Sequence, residues 1–202
     1  MTSTPIKPRG EYAKSAARRE EILAAAVAVF SASGFRKGSL RDVAERAGLT
    51  HAGVRHHFPT KVKLLEAVLA WRDEDAVRRA RVQSNEGLDV VRAWLSEVRR
   101  SRGTPDLVDL HVTLSAEGTS PDHPLHGYFV ERYDRAVGHL QRAFEVAATH
   151  GELREGVDPE GAARLLVAAT DGLQVQWLLA PDAVDMAATL REYLASIVTV
   201  DL

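Results

Sequence analysis

Apolar residues recur at intervals of three and four positions along nearly the whole chain, and this spacing constrains the fold most strongly. Residues 125–150 show it well, because large apolar side chains stand at positions 129, 133, 137, 140 and 144. Residues spaced in this way share one face of a helix. No segment alternates polar and apolar residues over the length of a strand, and no Asn-Gly or Asp-Gly hairpin signal separates two candidate strands. We therefore predict an all-α protein of about nine helices.

Capping residues and helix breakers predict the helix boundaries. We expect the first helix to span residues 17–33 and to stop at Gly34. Asp158 followed by Pro159 is typical of a cap with proline at the first helical position, so it predicts a helix to about Leu179. The last helix is expected over residues 183–198.

Composition excludes several classes of protein. The chain has 202 residues and no cysteine, which rules out disulfides, thiolate metal sites and a cysteine nucleophile. It contains no G-x-S-x-G, no P-loop and no G-x-G-x-x-G, and no convincing acid/base pair, so we expect neither an enzyme nor a cofactor. It has no signal sequence and no apolar run of bilayer length, so we expect a cytoplasmic protein.

Charge is distributed very unevenly. Residues 1–63 contain twelve Lys/Arg and five Asp/Glu, a net charge of +7. The remainder contains fourteen Lys/Arg and twenty-three Asp/Glu, a net charge of −9. This split indicates a polyanionic partner for the N-terminal third, and an ordinary solvated charged surface is the alternative.

Residues 39–61, SLRDVAERAGLTHAGVRHHFPTK, predict two short helices joined by a tight turn. Ser39 caps the first helix, and Gly48 supplies the left-handed turn that glycine adopts at least cost. Thr50 caps the second helix, which Phe58 and Pro59 end because the residue before a proline is disfavoured in a helix. A helix presented on such a turn fits the major groove of DNA.

Side chains at the start and on the exposed side of this second helix are the candidate DNA contacts. Arg55 is the best candidate for a base, since its guanidinium can bind guanine O6 and N7 together, and a phosphate contact is the alternative. Lys61 is expected to bind a phosphate. His56 and His57 point about 100° apart on a helix, which favours phosphate contact or packing over a metal. The complete predicted DNA-binding set is Ser39, Arg41, Thr50, His51, Ala52, Gly53, Arg55, His56, His57 and Lys61.

The segments REEILAAAVAVFSASGF, SLRDVAERAGLTHAGVRHHFPTK and LLEAVL resemble the N-terminal domain of the tetracycline-repressor (TetR-like) family. The family's alanine, glycine and branched apolar positions fall on Ala44, Gly48 and Val54. The aromatic-rich helix end followed by F-P-[ST]-K falls on residues 56–61. Arg55 stands where the family usually has a tyrosine that packs and touches phosphate.

HPLHGYFVERY and DGLQVQWLL resemble the C-terminal part of actinobacterial-type members of the same family. The resemblance implies that residues 125–202 supply ligand-pocket walls, and that the last two predicted helices form a four-helix bundle with a second subunit. We therefore divide the chain into a flexible basic tail (1–15), a helix-turn-helix domain (16–62) and a ligand-sensing and dimerisation domain (63–202). The tail could also reach into a minor groove.

Aromatic and polar residues on the predicted C-terminal helices are candidates for the pocket. Ordinary core packing is the alternative for the aromatic residues, and a surface or interface position is the alternative for Asp171 and Gln174. The predicted pocket set is Trp71, Trp94, His111, Phe129, Tyr133, Asp171, Gln174 and Trp177.

Together these patterns and the resemblance predict a ligand-responsive transcriptional repressor. It would act as a homodimer, without a metal, on a palindromic double-stranded DNA operator. Two reading helices separated by about one DNA turn, roughly 34 Å, would enter successive major grooves. An unidentified small molecule would be its effector. The alternative is a helical sensor or scaffold dimer that does not bind DNA.

Overall fold

The computed structural model describes residues 9–80 and 86–202, with side chains described for residues 14–33, 37–72 and 86–202. Over these residues the chain forms nine helices and no strand beyond one isolated bridge. They are α1 (Arg9–Lys37), α2 (Leu40–Arg46), α3 (His51–His57), α4 (Lys61–Ala80), α5 (Leu88–Ser101), α6 (Pro105–Glu117), α7 (His126–Thr149), α8 (Pro159–Leu179) and α9 (Met186–Ala195). The predicted all-α fold is confirmed. None of the described helices has the length and apolar content needed to cross a membrane.

The chain divides into two compact units, Met1–Ala70 and Trp71–Leu202. The first unit contains α1–α3 and the first half of α4, and the second contains the rest of α4 and α5–α9. The domain boundary predicted between residues 62 and 63 lies in the first turn of α4, eight residues before the division between the two units. No glycine or proline interrupts α4 near residue 70, so no helix breaker marks the division between the units.

The first helix is longer than predicted at both ends. Residues 9–15, which we expected to belong to a flexible tail, are helical, and residues 1–8 lie outside the described part of the chain. No proline lies between Pro8 and Pro59, so nothing in this stretch forbids the helix. Gly34 does not end α1, which continues to Lys37. A single glycine costs about 1 kcal/mol in a helix, too little to stop one by itself.

The last helix is shorter than predicted, because Asp185 caps it and the chain leaves the helix after Ala195. The Asp185 carboxylate accepts a hydrogen bond from the Ala188 N–H at 3.0 Å. Val198 then forms an antiparallel bridge with Leu153. The β-branched C-terminal residues therefore fasten the end of the chain beside the α7–α8 connection.

Each unit has its own buried apolar core. In the first unit, the predicted inward face of α1 is buried at Ile22, Leu23, Ala26 and Phe30. In the second unit, one cluster joins α5, α6, α7, α8 and α9, and Leu140, Phe144, Leu166 and Leu190 are among its fully enclosed members. Burying side chains of this size stabilises each unit by roughly 1.5–3 kcal/mol per residue.

Candidate nucleic-acid interface and ligand cavity

Ser39 fixes the start of α2 through a reciprocal cap. Its hydroxyl accepts a hydrogen bond from the Asp42 N–H at 3.3 Å, and its own N–H donates to the Asp42 carboxylate at 2.9 Å. Two backbone N–H groups at the helix start are thereby satisfied. Ser39 is half-buried in this role, whereas the neighbouring Arg41 is exposed.

The connection between α2 and α3 is a tight turn at Gly48. This residue has a φ of +65°, the left-handed region that glycine adopts without strain. The turn is closed by a hydrogen bond from the Leu49 N–H to the Ala44 carbonyl at 2.8 Å. Ala44 on α2 and Val54 on α3 are both buried, so packing sets the angle between the two short helices.

The start and the outer side of α3 are open to solvent. Thr50 caps the helix, its hydroxyl accepting from the Gly53 N–H at 3.1 Å. His51, Ala52, Arg55 and His56 are exposed. The structure therefore places most of the predicted reading residues on one accessible surface of a helix held from behind by Val54.

Gly53 has a structural reason to be glycine. A Cβ built at this position would lie 3.2 Å from the Thr50 hydroxyl oxygen that caps α3. Two small residues at positions 52 and 53 are also compatible with a close approach of the helix to DNA bases. The geometry adds a second requirement, since a side chain at position 53 would press on the cap.

A group of cationic side chains from α1 lies beside the end of α3. The Arg19 guanidinium lies 5.2 Å from the centre of the Phe58 ring, a cation–π contact. The pKa of His57 is lowered from its usual value by burial and by the positive charges of His56, Arg18 and Arg19. Arg18 and Arg19 were not among the predicted DNA contacts, because helical spacing within α1 does not show which distant residues they approach.

Lys61 makes an internal contact that the sequence did not indicate. Its ammonium donates to the Gly38 carbonyl at 3.0 Å and lies 5.9 Å from the centre of the Phe30 ring. Lys61 therefore ties the start of α4 to the α1–α2 connection. An ammonium carries three N–H donors, so the bond to Gly38 is compatible with the predicted contact between Lys61 and a phosphate.

The second unit contains a cavity of about 380 Å³ between α6, α7 and α8. Its walls combine apolar and hydroxyl-bearing side chains with one histidine and one carboxylate. The lining residues are His111, Val112, Ser115, Ala116, Thr119, Tyr133, Asp171 and Val175. Its volume lies near the lower end of the range for small-molecule sites, and it is open to solvent on one side.

Three of the eight predicted pocket residues line this cavity: His111, Tyr133 and Asp171. Phe129 is buried close by, with its ring centre 6.0 Å from that of His111 and 6.4 Å from that of Tyr133. The other four predicted residues, Trp71, Trp94, Gln174 and Trp177, do not line it.

These four residues have other environments. Trp94 donates a hydrogen bond from its indole N–H to the Thr170 hydroxyl at 3.0 Å. Gln174 and Trp177 are buried on α8, and Trp71 is half-buried on α4.

Five lining residues were not among the predicted ones: Val112, Ser115, Ala116, Thr119 and Val175. Three of them follow His111 on α6 at offsets of one, four and five, which is one face of a helix, and Thr119 lies just past the end of that helix. Once His111 was singled out, helical spacing could have found them. Val175 lies four residues after Asp171 on α8, which is the same signal.

Asp171 is the centre of the polar side of the cavity. Its carboxylate accepts a hydrogen bond from the Tyr133 hydroxyl at 2.7 Å and lies 3.5 Å from His111 Nε2. Burial raises the pKa of Asp171, but the His111 and Tyr133 hydrogen bonds outweigh it and leave that pKa below its usual value. The carboxylate is therefore ionised at neutral pH.

The two partners of Asp171 are uncharged at neutral pH. Burial lowers the pKa of His111 to about 4, although the hydrogen bond to Asp171 opposes the shift. Burial and the Asp171 charge raise the pKa of Tyr133 to about 12. The site therefore carries one negative charge, held by two neutral donors. Among the described residues, no group of three or more His, Asp or Glu is arranged to hold a metal ion.

An apolar stripe runs along the exposed side of α8. It contains Leu165, Ala168, Gly172, Val175 and Leu179, whose spacing alternates three and four. Leu165 is 58% exposed and Leu179 is 82% exposed. This spacing places all five residues along one side of the helix. We call these five residues the α8 stripe.

Two family models match the chain. The model for bacterial regulatory proteins of the tetR family matches residues 22–68, which include α2 and α3. The model for the C-terminal part of BetI-type transcriptional repressors matches residues 122–199, which include α7, α8 and α9.

Known proteins resemble the chain over most of their length. The transcriptional regulator TtgR of Pseudomonas putida is 28% identical over 192 residues, which cover 87% of each chain. A solved complex of SmeT with triclosan is 26% identical, with a TM-score of 0.72, over 91% of this chain and 92% of that one. A solved structure concerned with control of antibiotic production by bacterial hormones is 30% identical, with a TM-score of 0.71, over 90% and 97% of the two chains.

Proposed function

Because the chain belongs to the TetR family of DNA-binding transcriptional regulators, we propose that it represses transcription as a homodimer that releases its operator when a small molecule enters the α6–α8 cavity. Membership of this family confirms the prediction of a helix-turn-helix regulator and the prediction that the chain is not an enzyme. The dimer, the operator and the effector are the proposed parts.

The observation that carries the proposal is the accessible surface of α3. The cap at Thr50 and the buried Val54 hold this helix in place, while Arg55 and His51 face solvent. A positively charged first unit concentrates DNA near this surface. Side chains on α3 then supply base preference, and cations on the flanking elements bind phosphates.

The α8 stripe supports the homodimer. An apolar stripe with alternating spacing of three and four is the pattern by which one helix packs against another. A second copy of the same stripe is a complementary partner, since two-fold interfaces bring identical surfaces together. Exposed leucines with such spacing are costly on a monomer in water, and dimerisation removes them from solvent.

The cavity supports ligand control. It lies in the unit that does not contain α3, so a ligand there would act on DNA binding by favouring one conformer of the protein over another. The relative SmeT has been solved with triclosan, a small organic molecule. By reciprocity, operator DNA should weaken the binding of the effector by the same factor.

Titration of the DNA flanking its own gene, followed by fluorescence anisotropy, tests the DNA-binding part. We expect tight binding by the wild type and weaker binding by Arg55→Ala. Arg135→Ala is the matched control, because Arg135 is also an exposed helical arginine but lies on α7. No binding by the wild type would favour the sensor or scaffold alternative, and equal affinities of the two variants would show that Arg55 does not contact DNA.

A further inference from the structure

The hydroxyl groups that line the cavity donate their hydrogen bonds to acceptors of the protein itself. The Tyr133 hydroxyl donates to Asp171 at 2.7 Å, and the Thr119 hydroxyl donates to the Ala116 carbonyl at 2.8 Å. The Ser115 hydroxyl donates to the Val112 carbonyl at 3.0 Å. Ser115 also lies beside the Tyr133 oxygen, and a bond to that oxygen would equally keep its proton within the wall. With their protons placed in these hydrogen bonds, the three oxygens present lone pairs to a ligand.

His111 adds another acceptor. A carboxylate can only accept, so the neutral imidazole places its single proton on Nε2, which faces Asp171 at 3.5 Å. Nδ1 is then a bare acceptor. Among the described residues it has no hydrogen-bond partner, although the side chain is 97% buried. A buried acceptor without a partner costs free energy, and Nδ1 offers no donor to the cavity.

Asp171 gives the wall its charge. Its ionised carboxylate has about four lone-pair directions, of which Tyr133 and His111 use two. Arg132 lies near enough to lower the pKa of Asp171, so the carboxylate does not require a cationic ligand to balance it. A second carboxylate or a phosphate entering the cavity would meet acceptors rather than donors on this wall.

From this wall we infer that the effector of the proposed regulator is a compact, largely apolar molecule that carries a hydrogen-bond donor, such as a phenol, an alcohol or an amine. The apolar side chains Val112, Ala116 and Val175 hold its body. The Asp171 carboxylate, which is partly exposed, binds its donor. The inference rests on the cavity being the effector site.

Calorimetric titration with three probes of matched shape tests the inference on the full-length protein. The probes are 2-naphthol, which donates a hydrogen bond; 2-methoxynaphthalene, which does not; and 2-naphthoate, which is an anion. We expect 2-naphthol to bind at least about tenfold more tightly than 2-methoxynaphthalene, the usual effect of a hydrogen bond to a charged group. We expect 2-naphthoate to bind most weakly.

Asp171→Asn locates the preference in the cavity. The amide replaces part of the acceptor surface with N–H donors, so the advantage of 2-naphthol over 2-methoxynaphthalene should fall to about threefold or less. Asp134→Asn is the matched control, because Asp134 is an exposed carboxylate on α7, and it should keep the full preference. If Asp171→Asn does not fold, the three probes on the wild type decide alone.

Several results would overturn the inference. They are equal binding of 2-naphthol and 2-methoxynaphthalene, tightest binding of 2-naphthoate, or no binding of 2-naphthol. Operator release is measured separately by anisotropy. If 2-methoxynaphthalene or 2-naphthoate binds better and releases DNA, the proposed function stands and the inference fails. If 2-naphthol binds with the expected preference and DNA is retained, the inference stands and the effector role fails.

Discussion

Gly172 offers a sharp test of the dimer, because a side chain there has opposite effects on the single chain and on the assembly. It lies in the middle of the α8 stripe, and a Cβ built on it meets nothing within 4 Å. Gly172→Glu therefore creates no clash within the chain. Replacing a helical glycine with glutamate should instead stabilise α8 by roughly 0.5–1 kcal/mol.

In a dimer built on the α8 stripe, the same substitution buries two carboxylates. The effective penalty for a buried, unpaired ion is several kcal/mol, and a two-fold interface contains the change twice. Taking only about 3 kcal/mol per dimer, at about 1.4 kcal/mol for each factor of ten, the dissociation constant should rise by roughly a hundredfold or more.

Sedimentation velocity across a dilution series measures this change, and thermal unfolding of the same samples reports on folding. Gly138→Glu is the matched control, since Gly138 also lies inside a helix and a side chain there meets only Arg142 at 3.6 Å. The control should sediment as the wild type does. A Gly172→Glu protein that remains dimeric at the same dilution, or a wild type that is monomeric at micromolar concentration, would refute a dimer through the α8 stripe.

Three further predictions concern the two candidate sites. Lys61→Met should lower the free energy of unfolding by about 1 kcal/mol, because it removes the bond to Gly38. It should also reduce by about one the slope of the logarithm of the DNA-binding constant against the logarithm of the salt concentration. An unchanged slope in anisotropy titrations would leave Lys61 with the structural role alone. Arg55→Ala should cost about 1–3 kcal/mol at one base pair of the operator, measured with single-base variants, and a uniform loss would indicate a phosphate contact. The pKa of His111 is about 4 in the folded protein, below the usual 6.5. At pH values between these two, the unfolded chain therefore binds a proton at this histidine that the folded protein does not bind. The free energy of unfolding should therefore fall as pH drops through that window, by up to about 3 kcal/mol, and urea unfolding of His111→Gln should show a shallower pH dependence.

The helices and the DNA-reading surface could be predicted because they depend on local sequence patterns, which do not require knowledge of contacts between distant residues. Caps such as Ser39 and Thr50 act within three residues of themselves, so the residues that form them are adjacent in the sequence. Gly48 is equally local, since its positive φ is a property of one residue. The predicted boundaries of α1 and α9 were wrong for two different reasons. Glycine is a weak helix breaker, so Gly34 did not end α1, and the β-branched C-terminal segment was assigned to the last helix although it lies beyond the end of that helix.

The composition of the cavity depended on contacts between distant residues, which helical spacing does not specify. His111, Tyr133 and Asp171 come from three helices, and their hydrogen bonds join residues up to 60 positions apart. Aromatic size was a poor guide, because a tryptophan fills a core as readily as it lines a pocket. Trp177 illustrates this, since it is buried on α8 without reaching the cavity.

Val175 belongs both to the cavity lining and to the α8 stripe. A second chain packed on the stripe would cover this residue, which also forms part of the cavity lining. Binding of the two partners would be thermodynamically linked, and the apparent ligand affinity would vary with protein concentration. Dilution would act on this regulator as a second input beside the ligand itself.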